Sequence, residues 1–422
     1  MTKKHDRNWK VVWFGTRLVQ SGGGERLSLE VVHALRNQGY DAHYLVYHYD
    51  RDKTFEGRYD FLNILRFEDG YDRSQFISPV QGRIWGWRRR FWLRRMLKEL
   101  RPDVVITTGT WSQVVELHLA TLGMSLTYGV HVFGSLFAFG PDVERTKYAC
   151  IFRDSFEKIR SSVASYQNTV PALPPPMSLR EQLSLEILAR LKRRAIRRAK
   201  AVWVLSDRNR METEYLYGIR AEVLKGAFPE KIFAHRPAIS LRDELGLEDK
   251  RIVLSICRLV PNKRVDLCVL AFIEFARTRD DVDLVIGGTG DEEGRLRQLV
   301  EEAGLKERVH FIGYVPESRL LDYYADCDIA VHLDLADFDI APLEALAVGA
   351  RVIWADEMDL PEIIKHPGFV YEVPSDPRYI ASVMAKALSD EAARPSSDQR
   401  REVLRELCWE KFAGRMMSAF HD

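Results

Sequence analysis

Short apolar runs along the chain alternate with longer stretches in which apolar residues recur every third or fourth position. Residues 10–14 (KVVWF) form the first run, followed by a glycine-rich turn and a helical pattern over 25–38. Residues 42–47 read as the next strand, and β-like runs follow at 104–107, 125–130 and 201–205, with helical patterns between them. The alternation then restarts. Residues 251–256, 282–287, 309–312, 329–333 and 351–354 are strand candidates, separated by helical stretches such as 265–279 and 292–303. Strands alternating with helices predict parallel, doubly wound sheets, and the restart predicts two of them. The seam is expected near 228–241. The interval 143–200 reads as helical and is broken by Pro171, Pro174, Pro175 and Pro176.

Composition narrows the class. At roughly 150 residues per domain, 422 residues predict two or three domains. Fractions of 46% hydrophobic and 29% charged exclude wholesale disorder. A net charge of +1 argues against a dedicated nucleic-acid binder. Cys150, Cys257, Cys268, Cys327 and Cys408 are scattered, which predicts reduced thiols and no structural zinc. The first ten residues, MTKKHDRNWK, have no apolar core, so no signal peptide is expected. Residues 117–141 lack charge, but Gly123, Gly129, Gly134 and Gly140 interrupt them, and short buried strands and turns are expected there rather than a membrane span.

In open parallel sheets, ligands gather at the carboxyl ends of the strands. Three loops carry chemistry there. In residues 15–25, GTRLVQSGGGE, Gly22, Gly23 and Gly24 let a ligand approach the backbone ahead of a helix N-terminus suited to phosphate. A tight turn accounts for the glycines equally well. In 255–266, SICRLVPNKRVD, Arg258 and Lys263 flank a Pro-Asn turn and could clamp a diphosphate. An ordinary solvated loop is the bland reading. In 333–349, LDLADFDIAPLEALAVG, Glu344 opens a helix where a carboxylate could bind sugar hydroxyls, with Asp334, Asp337 and Asp339 crowded ahead of it. Helix capping by Asp339 and a first-turn charge at Glu344 is the alternative.

Read in order, GGGE (22–25), VLSDRNR (204–210), KGAFP (225–229), RLVPNKRVD (258–266), GTGDE (288–292), FIGYVP (311–316), PLEALAVGARVI (342–353), LPEII (360–364) and WEKFAGRM (409–416) resemble the family 4 glycosyltransferases. The stretch from Gly22 to Asp50 is most similar to the mannosyltransferases that extend the dolichol-linked oligosaccharide. The resemblance implies a GT-B fold of two Rossmann-like domains facing a cleft. It implies an N-terminal acceptor domain over 1–235 with a helical insertion at about 143–200, a C-terminal donor domain over 236–404, and a helix over 405–422 that returns to the first domain. It implies a retaining enzyme that uses a nucleotide sugar, with GDP-mannose preferred as donor over a UDP-hexose.

The family pattern also assigns roles. Arg258 and Lys263 would hold the donor diphosphate and Glu344 the ribose. The backbone around Phe338, Asp339, Ile340 and Ala341 would face the donor sugar, Tyr314 would belong to the donor site, Asp337 or Asp339 could take over from a missing signature glutamate, and Gly22, Gly23 and Gly24 would approach the phosphates. His131 would lie near the sugar, although alone it reads as a core histidine. Two departures stand out. The signature Glu eight residues before Glu344 is Ala336, and the small turn before LPEII is Asp-Glu-Met-Asp, residues 356–359. A non-catalytic nucleotide-sugar-binding partner is therefore the rival reading. No cofactor is expected; Asp337-Phe338-Asp339 spells a metal–diphosphate motif, but the neighbouring cations already supply positive charge.

Neutrality conceals two basic segments. Arg83, Arg88, Arg89, Arg90, Arg94 and Arg95 are interleaved with Trp85, Trp87, Phe91 and Trp92 and contain no acid between them. This suits an anionic membrane surface, with aromatic rings at headgroup level. Residues 190–200 are also basic and read as the exposed side of a helix. Expected partners are a nucleotide sugar, a lipid-linked or glycan acceptor and an anionic membrane; nucleic acid is not expected. The expected location is cytoplasmic, peripheral on the inner face of a membrane.

Overall fold

The computed structural model describes residues 9–19, 22–55, 58–67, 79–109, 113–133, 178–335, 339–365, 368–389 and 395–421, without the side chains of 79–85. It divides into two units, Met1–Gly226 with Trp409–Asp422, and Ala227–Cys408.

The first unit runs β1 (Lys10–Leu18), α1 (Gly23–Asn37), β2 (Asp41–Tyr49), β3 (Ile64–Arg66), α2 (Pro79–Leu100), β4 (Val104–Thr108), α3 (Gln113–Ala120), β5 (Tyr128–Val132), α4 (Leu179–Arg197), β6 (Ala201–Val204), α5 (Asp207–Tyr217) and β7 (Glu222–Val223). The sheet order is β3-β2-β1-β4-β5-β6-β7, all parallel. Val11, Val12, Trp13 and Phe14 of β1 and Val104, Val105 and Ile106 of β4 are all buried. A parallel sheet covered on both faces requires such unbroken apolar runs.

In the second unit, α6 (Leu241–Leu245) precedes β8 (Arg251–Ile256), α7 (Val265–Ala276), β9 (Val282–Gly287), α8 (Glu293–Glu302), β10 (Val309–Gly313), α9 (Glu317–Asp326) and β11 (Ile329–His332). Then come α10 (Ala341–Val348), β12 (Arg351–Ala355), β13 (Val370–Val373), α11 (Pro377–Ser389) and α12 (Ser397–Leu404). The order β10-β9-β8-β11-β12-β13 is again parallel throughout. Asp328 ties the amino ends of β8 and β11 together. It accepts the Ile252 N–H at 2.9 Å, Arg242 at 2.6 Å and Arg251 at 2.8 Å.

The chain's last helix, α13 (Trp409–His421), belongs to the first unit. Trp409, Phe412, Ala413, Met416, Met417 and Phe420 are buried, the stripe of an amphipathic helix. The Phe420 ring lies 5.7 Å from Trp203 of β6, and Gln38 Nε2 donates to the Glu410 carbonyl at 2.6 Å. A Cβ on Gly129 of β5 would lie 2.4 Å from Trp203 and 2.9 Å from Phe420. The missing side chain is what lets both rings settle on the strand.

Several boundaries differ from the periodicity. β1 continues to Leu18, so Gly15 is a strand residue whose Cβ would meet Tyr44 at 2.7 Å, and the first loop is shorter than expected. The strand expected at 125–130 is Tyr128–Val132, because Ser125 and Thr127 are exposed and the buried run resumes at Tyr128. The uncharged stretch begins inside a helix, α3, and continues into β5. Among the described residues no helix is long and apolar enough to cross a membrane. The prolines at 171–176 and Cys150 lie outside the described residues; the other four cysteines are free thiols.

Replacing Gly129 with Ala is expected to cost about 1–3 kcal/mol through overpacking against Trp203 and Phe420. Denaturant unfolding followed by tryptophan fluorescence checks it, and an unchanged midpoint would show that the rings have room to give.

Candidate functional site at the carboxyl ends of the second sheet

After β8 the chain passes Cys257 and the exposed Arg258 into a short turn at Pro261–Lys263, and then enters α7. The GTGDE backbone supports this loop from β9. Gly288 has φ +122°, and a Cβ there would lie 1.8 Å from the Cys257 carbonyl oxygen. Only glycine allows that approach. The Leu259 N–H donates to the Thr289 carbonyl at 2.9 Å, and the Glu292 N–H to the Leu259 carbonyl at 3.1 Å. These glycines are therefore accounted for by backbone packing.

Arg264, at φ +47°, fastens the loop on its other side. Its Nε donates to the Leu333 carbonyl at 2.6 Å, and its two terminal nitrogens reach Glu357 at 3.2 and 2.5 Å. The loops after β8, β11 and β12 are thus held by one guanidinium. The motif RLVPNKRVD contains Arg264, yet its two neighbouring cations drew attention first. The turn at 356–359 also finds a role here, because its Glu357 is the fork's partner.

Lys263 does not stand free. Its Nζ bonds Asp334 and lies 3.0 Å from Asp339 Oδ2. Asp334 is almost wholly buried, and the Lys263 side chain is only 17% exposed. Burial alone would lower the Lys263 pKa, but Asp339 and Asp334 hold it above the ordinary lysine value. Burial and the Asp339 charge push the Asp334 carboxyl up. Asp339 is held low despite burial, chiefly by Lys263. Two carboxylates face one ammonium, so a proton resides preferentially on Asp334. Burial also raises the Cys257 thiol beside them and keeps it protonated, and it pushes His332 down to about 4, so that ring is neutral. His332, Asp334 and Asp339 present possible ligand atoms within 4.8 Å of one another. The sequence reading singled out neither His332 nor, as a site residue, Asp334; the H-x-D at the end of β11 was their signal.

Glu344 is buried in the first turn of α10. Tyr324 is also fully buried, and its phenol is raised by burial and then by the Glu344 and Asp339 charges. Glu344, Tyr324, Asp339, Lys263 and Asp334 thus form one connected electrostatic group. Ile340 is buried, Ala341 opens α10, and Tyr314 is 65% exposed after β10. Ala336, Asp337 and Phe338 lie outside the described residues.

Other expected site residues lie in the first unit. Gly22 is the N-cap of α1, and Gly23 and Gly24 form its first turn. A Cβ on Gly23 would meet nothing within 4 Å, and one on Gly24 would touch the Phe133 ring at 3.7 Å. Phe133 in turn lies 4.6 Å from the His131 ring, whose other side meets Phe412 of α13 at 5.8 Å. His131 is wholly buried, and among the described residues neither ring nitrogen has a hydrogen-bond partner. Burial lowers its pKa to about 3.

The basic helix α2 has two faces. Arg90 forms a fork with Glu116 at 2.9 and 3.2 Å, and Arg94 donates to the carbonyls of Ala120 and Leu122 that end α3. Trp92 packs on Tyr47 and Phe67, and Arg89 lies over the Tyr47 ring. These four are structural. On the outer face Trp87 and Phe91 stack at 6.1 Å while 67% and 61% exposed, beside exposed Arg88 and Arg95. The side chains of Arg83 and Trp85 lie outside the described residues.

Two parallel doubly wound units, with cations and a buried acidic helix start at the strand ends of the second, define the GT-B glycosyltransferase class. Residues 22–224 match the family described as "Glycosyl transferase 4-like domain", and residues 239–405 match "Glycosyl transferases group 1". Between them the two glycosyltransferase models match most of the chain, each over one of the two units. It is 28% identical over 187 residues to an uncharacterized glycosyltransferase of Methanocaldococcus jannaschii, covering 43% of this chain and 48% of that protein. It is 29% identical over 188 residues to the GDP-mannose-dependent alpha-(1-6)-phosphatidylinositol monomannoside mannosyltransferase of Mycobacterium tuberculosis, covering 42% and 49%. The chain therefore spans about half the length of these relatives. A crystal structure of Anabaena HepE in complex with UDP matches 98% of this chain and 99% of its own, with a TM-score of 0.69 and 15% identity, a likeness of fold.

The depressed pKa of His131 makes a prediction about acid stability. The unfolded chain takes up a proton near the ordinary value of about 6.5, and the folded chain only near 3. Stability from the neutral ring is complete above that range and is lost as pH falls through it. The His131→Phe variant should therefore unfold at lower pH than the parent when both are titrated by circular dichroism. Coincident acid transitions would show that the ring is hydrated in the folded protein.

Proposed function

We propose that this protein is a retaining glycosyltransferase that moves a hexose from a nucleotide-diphosphate donor to a lipid-linked or cell-surface glycan acceptor. One observation carries the reading: exposed Arg258 and half-buried Lys263 lie on one braced loop at the end of β8, in the unit where buried Glu344 opens α10. Arg258 and Lys263 would stabilise the departing diphosphate by fixed positive charge, the electrostatic work that makes a metal unnecessary. Glu344 would hold the ribose. No side chain of the group is placed as a covalent nucleophile, so departure on the face of attack is the proposed course. The preferred donor is GDP-mannose, supported by the GDP-mannose dependence of the mycobacterial relative; a UDP-hexose is the alternative, supported by the UDP in the Anabaena structure. The likeness of Gly22–Asp50 to dolichol-linked mannosyltransferases supports a lipid-linked acceptor. The outer face of α2, with Trp87, Phe91, Arg88 and Arg95, would rest on an anionic leaflet at the cytoplasmic side of a membrane.

A second reading has its own support. Lys263 is already neutralised by internal carboxylates, and Ala336 stands where the family carries a glutamate. Both suit a partner subunit that binds nucleotide sugar without turning it over.

Incubation with GDP-mannose, UDP-glucose and UDP-N-acetylglucosamine, together with polyprenyl- and phosphatidylinositol-linked acceptors, separates the readings. Transfer from one donor is expected, and Arg258→Ala should lower kcat/KM by about 10²–10³. Donor binding with neither transfer nor hydrolysis across the panel would leave the non-catalytic reading.

For the membrane face, Arg88→Glu with Arg95→Glu should weaken binding to phosphatidylserine vesicles at least tenfold, since each cation near the surface contributes about 1 kcal/mol. Arg90 and Arg94 are left in place because they hold α3. Unchanged flotation with vesicles would dispose of this surface.

A further inference from the structure

The Asp339 carboxylate spans two features. One oxygen, Oδ2, lies 3.0 Å from Lys263 Nζ. The other, Oδ1, accepts the Ala341 N–H that opens α10, at 3.4 Å. An ammonium facing the first free N–H of a helix is the arrangement a phosphate oxygen would use. Here an aspartate of the chain itself fills it. Asp334 then takes a second position on the same ammonium. The Asp339 carboxylate thus already balances the Lys263 charge before any ligand arrives.

We propose that Asp339 is a resident anion in the donor-phosphate position and a determinant of donor affinity: it must leave Lys263 and the α10 N-terminus before a nucleoside diphosphate can bind there. This rests on the proposed role of Arg258 and Lys263 as a diphosphate clamp. A phosphate that enters without displacing it meets the Asp339 carboxylate beside a single ammonium, and that repulsion sets the threshold for binding. Asp334 is the more buried of the two, just past the end of β11, and it would keep Lys263 partnered when Asp339 leaves. Donor binding is then an exchange of one anion for another on a fixed cation, and the Asp339 position selects for ligands charged enough to win it.

The experiment is calorimetric binding of GDP, UDP, guanosine and uridine to the full chain and to Asp339→Asn, Asp339→Ser and Arg258→Ala, each checked for cooperative melting. Asparagine and serine remove the competing charge while Asp334 still holds Lys263, and two substitutions guard against one that does not fold. The proposal expects at least tenfold tighter binding of the parent's preferred diphosphate in either Asp339 variant, with no gain for the nucleosides. Unchanged or weaker diphosphate binding in both variants would overturn it, as would an equal gain for the nucleosides. Arg258→Ala keeps the two ideas apart. If it weakens diphosphate binding while the Asp339 variants do not tighten it, the clamp stands and the resident anion is refuted. If no variant changes diphosphate binding, both are refuted.

Discussion

A buried ammonium held between two carboxylates organises the second unit's site. Lys263 joins the loop after β8 to the loop after β11 through Asp334, and to the start of α10 through Asp339. Removing either charge type alone would strand the other in a low-dielectric setting, where an unpaired charge costs several kcal/mol. The loop must therefore be rigid around it. The Gly288 contact with the Cys257 carbonyl and the Arg264 fork on Glu357 supply that rigidity from two sides. Arg258 lies on the same loop with its side chain in solvent, so one short segment presents two committed cations, Lys263 and Arg264, and one exposed cation.

That division bears on chemistry. An exposed guanidinium reaches a diphosphate with little reorganisation, whereas a paired ammonium must first exchange its partner. Electrostatic catalysis is effective when the charge is placed in advance of the reaction. Here the placement is complete for Lys263, but its field is partly cancelled until the carboxylates are displaced or neutralised. The buried neutral His332 and protonated Cys257 add no charge, so the balance rests on Lys263, Asp334, Asp339 and Glu344.

Much of the fold was legible because its strands are buried on both faces. Predominantly apolar runs such as 251–256 and 282–287 coincide with β8 and β9 at both ends. β3 and β7 escaped because they have only three and two residues, and β13 because its VYEV carries an exposed glutamate. The basic helix shows a different limit. Its run of arginines looks uniform in sequence, yet Glu116, Ala120 and Leu122, far along the chain, draw Arg90 and Arg94 inward. Only the three-dimensional partner decides which cation is structural. In the same way, the residues around Lys263 are separated by some seventy positions, and no local spacing pairs Lys263 with Asp334.

His131 illustrates how a ligand-like residue type can be placed by packing. Its ring contacts Phe133 and Phe412, and among the described residues both nitrogens are unpaired. Buried polar atoms without partners are rare in folded proteins. A core histidine chosen for packing alone would be replaced by an apolar residue without that desolvation cost. Phe133 touches both this ring and the Gly24 position at the start of α1, so a change at the glycine turn reaches the imidazole through one aromatic side chain.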